Sequence, residues 1–143
     1  MIRVYELKTE EDKKKAKAKF SVLILEFCRV FLMQDIDANQ DIGIGVLQLD
    51  GAEVYIKYIC VPDDDKPFEY FDLLARSLLN VLRDMFGLRI LLDSSQVNAH
   101  CKKDGCPAKN KNDYWRQFGF KEYADGVLSV ISHEIDLKGA CKG

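Results

Sequence analysis

The chain has 143 residues and a formal net charge of −2 at pH 7, with 48% hydrophobic and 31% charged residues. That length suits one domain with one core, and the composition is that of an ordinary globular protein. The slightly acidic balance excludes a generally basic surface, so we expect no nucleic-acid partner.

The N-terminal residues have no apolar core of the kind that a signal peptide needs. The longest apolar run, Phe20 to Met33, is interrupted by Glu26 and Arg29 and is too short to span a bilayer. Five cysteines are an odd number, which favours thiols over a disulfide framework. We therefore predict a cytoplasmic protein with no membrane partner.

The first third of the chain alternates between strand and helix patterns. Ile2 to Leu7 alternates as a strand does, and Thr9 is a good N-cap for a helix expected to reach about Phe27. The run Lys13 to Lys15 is more typical of a solvated helix face than of a nucleic-acid site. A second strand is predicted over Arg29 to Met33, with a continued helix as the alternative.

The next segments predict a meander. A polar turn over residues 35–40 precedes a strand from Ile42 to Leu49. Asp50-Gly51 predicts a tight hairpin, a turn whose two central positions need positive φ. The returning strand runs from Glu53 to Val61, and Pro62 ends it because proline cannot donate to the ladder.

A strand–helix–strand unit follows. Pro67 suits the first position of a helix, apolar residues recur at helical spacing, and Gly87 is a natural C-cap. The short apolar run Leu88 to Leu92 fits a buried strand parallel to the one before the helix. This arrangement is expected to place Val61 beside Leu91.

The last third begins with a long polar loop over residues 94–112. The elements predicted after it are a helix from Asp113 to Phe118, a break at Gly119, a strand from Phe120, a turn over 123–126 and a last strand from Val127 to Ile135. We predict one domain over residues 1–137 and a C-terminal tail over residues 138–143.

The long loop carries His100, Cys101 and Cys106, which are three soft metal ligands. A structural zinc site normally needs four, so no metal is expected. Neighbouring lysines would lower the pKa of a thiol, which leaves a thiol-based or metal-binding role as the weakest of the alternatives.

The order of these elements, together with Tyr58–Pro62 and Trp115–Phe120, resembles the GNAT superfamily of N-acetyltransferases over nearly the whole chain. The resemblance implies an α/β (α+β) fold. Its mixed sheet of about six to seven strands would be flanked by helices, with the fourth and fifth strands parallel and splayed apart.

The resemblance also implies transfer of an acyl group from acetyl-CoA to an amine that the sequence does not identify. The residues expected to contact the cofactor are Ile59, Cys60, Val61, Lys66, Pro67 and Phe68. Trp115 stands where the family often has a tyrosine that gives a proton to the departing thiolate, so neighbouring Tyr114 is the candidate acid. Glu53 and Asp93 are the candidate bases.

The chain departs from the family where acetyl-CoA pyrophosphate is bound. Asp65, Phe68 and Tyr70 stand at the positions of the family's Gln/Arg-x-x-Gly-x-Gly/Ala pattern. This departure raises the alternative of a noncatalytic GNAT-fold binding or interaction module that has lost pyrophosphate recognition. The sequence leaves open whether the chain forms a homodimer.

Overall fold

A computed structural model of the chain describes residues 1–21, 24, 27–61, 67–93, 97 and 111–137. The strands are β1 (Ile2–Leu7), β2 (Cys28–Asp35), β3 (Gln40–Asp50), β4 (Glu53–Cys60), β5 (Arg89–Asp93), β6 (Lys121–Ala124) and β7 (Val127–Ile131). The helices whose bounds the structure describes are α1 (Glu10–Phe20), α2 (Pro67–Arg83) and α3 (Lys111–Arg116), and a 3₁₀ turn covers Ser132–Glu134.

The strands described form one mixed sheet in the order β1-β2-β3-β4-β5-β7-β6. Neighbouring strands are antiparallel except β4 and β5, which are parallel. This confirms the predicted sheet of six to seven strands and its parallel pair. The bounds of the domain stay a prediction, because residues 138–143 lie outside the described part.

Two cores lie on opposite faces of the sheet. Helix α2 buries an apolar stripe against one face; its members are Phe71, Leu74, Ala75, Leu78, Leu79 and Leu82. On the other face α1 contributes Ala16 and Phe20 to a smaller core. Burying one large aliphatic or aromatic side chain is worth about 1.5–3 kcal/mol, so α2 anchors the fold more strongly than α1 does.

The start of α1 is as predicted, but its end is not. The Thr9 hydroxyl accepts a hydrogen bond from the Asp12 amide at 3.1 Å, as an N-cap should. The helix ends at Phe20, and Ser21 follows with φ of 55°. Phe27 has φ of 61°, a left-handed conformation that an α-helix cannot contain. The predicted extension to Phe27 was therefore wrong.

Helix α2 also ends earlier than predicted, at Arg83 and not at Gly87. The amides of Asp84 and Met85 bond to carbonyls three residues back, at 3.2 and 3.0 Å, which tightens the last turn. Gly87 has φ of 84° and belongs to the turn that leads into β5.

The predicted hairpin after β3 is present, with a different turn. Asp50 pairs with Glu53, so the central residues are Gly51 and Ala52. Only Gly51 has positive φ, at 61°, so the expectation of two positive values was wrong.

The last strand stops at Ile131, short of the predicted Ile135, because a 3₁₀ turn begins at Ser132. The Ser132 amide donates to the Leu88 carbonyl at 2.8 Å, and its hydroxyl accepts from the Leu88 amide at 3.2 Å. This pair of bonds fastens the start of β5 to the end of β7.

Within the described part of the chain, no helix has the length and apolarity needed to cross a membrane.

Candidate functional site

Strands β4 and β5 pair over only the first part of their length. The parallel pairs are Glu53 with Arg89, Val54 with Ile90 and Tyr55 with Leu91. Beyond these, β4 continues beside β3 as far as Cys60, and β5 continues beside β7 as far as Asp93. A wedge therefore opens between the two parallel strands, which confirms the predicted splay.

The wedge opens at a β-bulge that the sequence analysis missed. In the β3–β4 ladder Val46 faces Tyr58 and Leu47 faces Ile56, so Lys57 is an extra residue in β4. A bulge bends its strand and increases the local twist, and bulges are common beside active sites. Here the bulge lies two residues after the last β4–β5 pair, Tyr55 with Leu91, where the two strands no longer pair.

The bulge leaves a trace in the apolar pattern of β4. Val54 and Ile56 belong to the core on the α2 side, and after the bulge Ile59 and Val61 do. A regular strand would keep one parity along its whole length, because side chains alternate with a period of two. The shift from even to odd positions was the signal in the sequence.

The parallel register differs from the one predicted. Leu91 lies beside Tyr55, not beside Val61, which is six residues further along the chain, or roughly 20 Å at the usual rise of a strand. The start of β5 is held at the hairpin end of β4, where the Arg89 amide donates to the Ala52 carbonyl at 3.0 Å. This attachment sets the register, and the expected pairing of Val61 with Leu91 was wrong.

The β4 residues predicted to contact the cofactor line the diverging part of the strand. Ile59, Cys60 and Val61 are each at most 1% exposed. Ile59 and Val61 point into the core on the α2 side, whereas Cys60 points into the core on the α1 side. All three side chains are therefore occupied by core packing.

The other predicted cofactor contacts lie at the start of α2. Pro67 is the first residue of the helix, as predicted. Lys66 and the side chains of Pro67 and Phe68 lie outside the described part of the structure, so their contacts stay predictions. The N-terminus of α2 is the end of a 17-residue helix, where the backbone dipole favours an anion.

Tyr114 is held by a charged cluster on α2. Its hydroxyl donates to Asp72 Oδ1 at 2.6 Å, and Arg76 Nε donates to Asp72 Oδ2 at 2.8 Å. The Tyr114 side chain is buried, and burial, followed by the bond to Asp72, raises its pKa above the usual value. The proton of this phenol is directed at Asp72, and the phenol is a weaker acid than free tyrosine.

The aromatic residues around Tyr114 form the contact between α3 and α2. The Tyr114 ring lies edge-on to Phe71, Trp115 and Phe118, with centroids 5.7, 5.1 and 5.3 Å away. Trp115 is 2% exposed and packs against Phe120 at 5.6 Å. Trp115 is thus a core residue, and Tyr114 together with Asp72 docks α3 onto α2.

The candidate bases lie at opposite ends of the parallel pair. Glu53 begins β4 at the closed end, beside Arg89. Asp93 ends β5, and parallel strands place their carboxyl ends on the same side of the sheet. Asp93 is therefore on the side where the wedge opens, whereas Glu53 is not; the catalytic roles of Glu53 and Tyr114 stay predictions.

Among the residues that the structure describes, no three His, Cys, Asp or Glu side chains are grouped so that they could hold a metal ion. Of the candidate soft ligands, His100, Cys101 and Cys106 lie outside the described residues. The other histidine of the chain, His133, stacks on Phe86 with centroids 4.4 Å apart.

The sequence matches no protein-family model, and it matches no curated protein either. The fold, in contrast, is similar to solved acetyltransferase structures. One is the ribosomal-protein-S18-alanine N-acetyltransferase from Escherichia coli, with a TM-score of 0.62 and 13% identity, covering 96% of this chain and 98% of that one.

Two further similar structures come from other bacteria. An N-acetyltransferase from Staphylococcus aureus Mu50 has a TM-score of 0.61 and 15% identity over 92% of this chain and 98% of its own. A GNAT family acetyltransferase from Elizabethkingia anophelis, solved with acetyl-CoA bound, has a TM-score of 0.58 and 12% identity over 91% and 97%. At such identities the likeness concerns the fold, and the chain has the fold of the GNAT acetyltransferases.

Proposed function

We propose that the chain is an acyl-CoA-dependent N-acyltransferase that moves an acyl group from acetyl-CoA, or a related thioester, to an amine. The observation that carries this proposal is the wedge: pairing of β4 with β5 stops at Tyr55, and a bulge at Lys57 turns β4 away. A similar fold holds acetyl-CoA in the Elizabethkingia anophelis structure.

The described part of the wedge fits the thioester arm of such a cofactor. An extended arm would lie along the main chain of Ile59 to Val61, whose side chains are turned into the two cores. The residues that would meet the pyrophosphate, 62–66, lie outside the described part, and this half of the fit rests on the N-terminus of α2 alone.

The reaction needs a base for the amine, a hydrogen-bond donor for the oxyanion and an acid for the departing thiolate. The amine nitrogen attacks the thioester carbonyl carbon and the carbon–sulfur bond breaks; the nitrogen then loses a proton, and the thiolate gains one. A main-chain amide of β4 near Ile59 or Cys60 would stabilise the oxyanion, and one such donor is worth about 2.7–4 kcal/mol. Asp93, at the open side, is better placed than Glu53 to take the proton from the amine.

The second candidate is a binding module that keeps the wedge and transfers nothing. The observation that favours it is the hydrogen bond from the Tyr114 hydroxyl to Asp72. Because the proton of this candidate acid is donated to Asp72, it is not directed at a departing thiolate. The burial of Trp115 also favours a module, because this side chain, at the position of the family's tyrosine, packs in the core.

Acetyl-CoA titration distinguishes the two candidates. At 100 times its dissociation constant, a ligand that binds only the folded chain stabilises it by about 2.7 kcal/mol. Stabilisation together with release of free thiol in the presence of an amine panel supports transfer. Stabilisation without thiol release supports a module that still binds acetyl-CoA. No stabilisation at millimolar acetyl-CoA contradicts transfer and supports a module that has lost pyrophosphate recognition.

Deletion of Lys57 tests whether the wedge is the site. Without Lys57, the residues of β4 that face the α2 core, namely Val54, Ile56, Ile59 and Val61, alternate regularly, so the strand should still fold while the wedge closes. The matched control deletes Tyr123, the extra residue of the β6 bulge at the far edge of the sheet. We expect the first deletion, and not the second, to abolish acetyl-CoA binding; binding that survives the deletion of Lys57 would place the site elsewhere.

The cytoplasmic location predicted from the sequence accompanies this proposal, because an odd number of cysteines favours thiols, and thiols suit a reducing compartment. The Escherichia coli enzyme acts on an alanine of a ribosomal protein, according to its name. For this chain the proposed acceptor is an amine.

A further inference from the structure

The two edges of the sheet differ in how well they are protected. Strand β6 has four exposed residues, two of them charged, and a bulge at Tyr123, all of which discourage pairing with another strand. Strand β1 is six residues long, contains no proline and pairs with β2 in an unbroken register from Ile2–Asp35 to Leu7–Val30. Strand β1 also carries two charged residues, Arg3 and Glu6. Among the described residues, what distinguishes β1 from β6 is therefore its greater length, its lower exposure and its lack of a bulge.

The hydrogen-bonding direction of each β1 residue follows from one bond. The Ile36 amide donates to the Met1 carbonyl at 2.9 Å, and these two residues continue the β1–β2 register. Because hydrogen-bonded and non-bonded pairs alternate along an antiparallel ladder, Arg3, Tyr5 and Leu7 also point their main-chain groups at β2. The amides and carbonyls of Ile2, Val4 and Glu6 therefore point outward from the sheet.

Open space lies beside this edge on both faces of the sheet. A cavity of about 450 Å³ lies between β1, β2 and α2, and its lining includes Val4, Glu6, Arg29 and Asn80. A second cavity, of about 250 Å³, lies between β1 and α1 and includes Tyr5, Leu7, Lys15 and Lys19. Neither helix covers the edge completely, so the side chains of an added strand would have room on either face.

We propose that β1 pairs with β1 of a second copy of this chain, antiparallel, with Val4 on the twofold axis. In this register Val4 faces Val4 of the partner subunit, and Ile2 faces the partner's Glu6. All three outward-pointing residues then exchange main-chain hydrogen bonds, so none of their amides or carbonyls is left over. The two sheets become one continuous sheet about a closed twofold axis.

The side chains suit this register on both faces. On the α1 face Arg3 lies opposite the partner's Tyr5, and its guanidinium carbon already lies 4.3 Å from the centroid of Tyr5 in its own chain. On the α2 face the Glu6 carboxylate is held by Arg29 through bonds of 2.8 and 2.7 Å. Its charge is thereby neutralised where Ile2 of the partner subunit would pack.

The two neighbouring symmetric registers, with the twofold axis through Arg3 or through Tyr5, would give a less stable dimer. An axis through Arg3 places two guanidinium groups directly opposite each other, which is destabilising. An axis through Tyr5 leaves the outward groups of Ile2 without a strand partner. The choice of Val4 therefore follows from the pattern of charges and main-chain directions in β1.

Sedimentation analysis of the full chain tests the dimer. We expect twice the monomer mass of 16.4 kDa at high concentration, and a Val4→Pro variant that stays monomeric. Proline is suited to this position because the amide that it removes points away from β2. The matched control, Val4→Thr, keeps both the outward amide and a β-branched side chain, and we expect it to dimerise.

Amide hydrogen exchange provides a test that does not depend on the variant folding. The amides of Arg3 and Tyr5, bonded to β2, should be protected at every concentration. Those of Ile2, Val4 and Glu6 should become protected only as dimers form. A chain that stays at 16.4 kDa up to millimolar concentration overturns the proposal. So does a dimer in which the amides of Ile2, Val4 and Glu6 exchange freely.

Discussion

Replacing Tyr114 with phenylalanine separates a docking role from an acid role. The change removes the bond from the hydroxyl to Asp72 Oδ1, at 2.6 Å, and keeps the ring that packs against Phe71, Trp115 and Phe118. A hydrogen bond to a charged group contributes about 1.5–3 kcal/mol. Because the Asp72 side chain is 26% exposed, water can partly replace the phenol, and we expect a loss of about 1–2 kcal/mol.

The pH dependence has a definite sign. The pKa of Tyr114 is raised in the folded chain, chiefly by burial and then by Asp72, so the unfolded chain gives up this proton first, near pH 10. The unfolded state then binds fewer protons, and stability falls as the pH rises. The contribution of Tyr114 is therefore complete below about pH 10 and declines above it, so the difference between wild type and Tyr114→Phe should narrow there.

Urea unfolding at pH 8 and at pH 10.5, followed by the fluorescence of the single tryptophan, measures both effects; that tryptophan, Trp115, is buried beside the substitution. Tyr123→Phe is the control, because Tyr123 is exposed and should change stability little. If Tyr114→Phe leaves stability unchanged and slows acyl transfer by about 10²–10⁴-fold, the phenol is a general acid and the docking argument fails.

The Glu6–Arg29 ion pair and the packing of Gly45 give two further predictions. The pKa of Glu6 is lowered to about 2, and the main cause is a pair of hydrogen bonds from Arg29. Replacing Glu6 with glutamine should therefore lower the free energy of unfolding by about 1–2 kcal/mol near pH 7. The difference should disappear as the pH falls from about 4.5 toward 2, and an unchanged difference at pH 2.5 would contradict the assignment. A Cβ on Gly45 would lie 2.7 Å from Leu78 Cδ1, so Gly45→Ala should cost about 1–3 kcal/mol in urea unfolding. Much of that cost should be absent in a Leu78→Ala background; equal costs in both backgrounds would show that the clash is not the cause.

Elements defined by neighbouring residues were predictable. The N-cap at Thr9, the start of α2 at Pro67 and the hairpin after Asp50 follow from local chemistry, and all three are present. The exact ends of helices were not predictable. Left-handed residues and tightened turns, which depend on where the chain must go next, ended α1 and α2 early.

The candidate site depended on contacts between distant residues. The bulge at Lys57 left only a shift of parity in the apolar pattern of β4. The β4–β5 register follows from the attachment of Arg89 to Ala52, 37 residues earlier in the chain. The partner of Tyr114 is Asp72, 42 residues earlier, and no local pattern indicates that pairing.

The sequence by itself determined the order of the elements, their apolar faces and hence the mixed sheet, because periodicity and capping act within a few residues. Only the tertiary structure decided where β4 and β5 separate, which ends of the strands meet and how the Tyr114 proton is used. The physical reason is that a strand register is chosen by pairing energy and turn geometry summed over segments far apart in the chain.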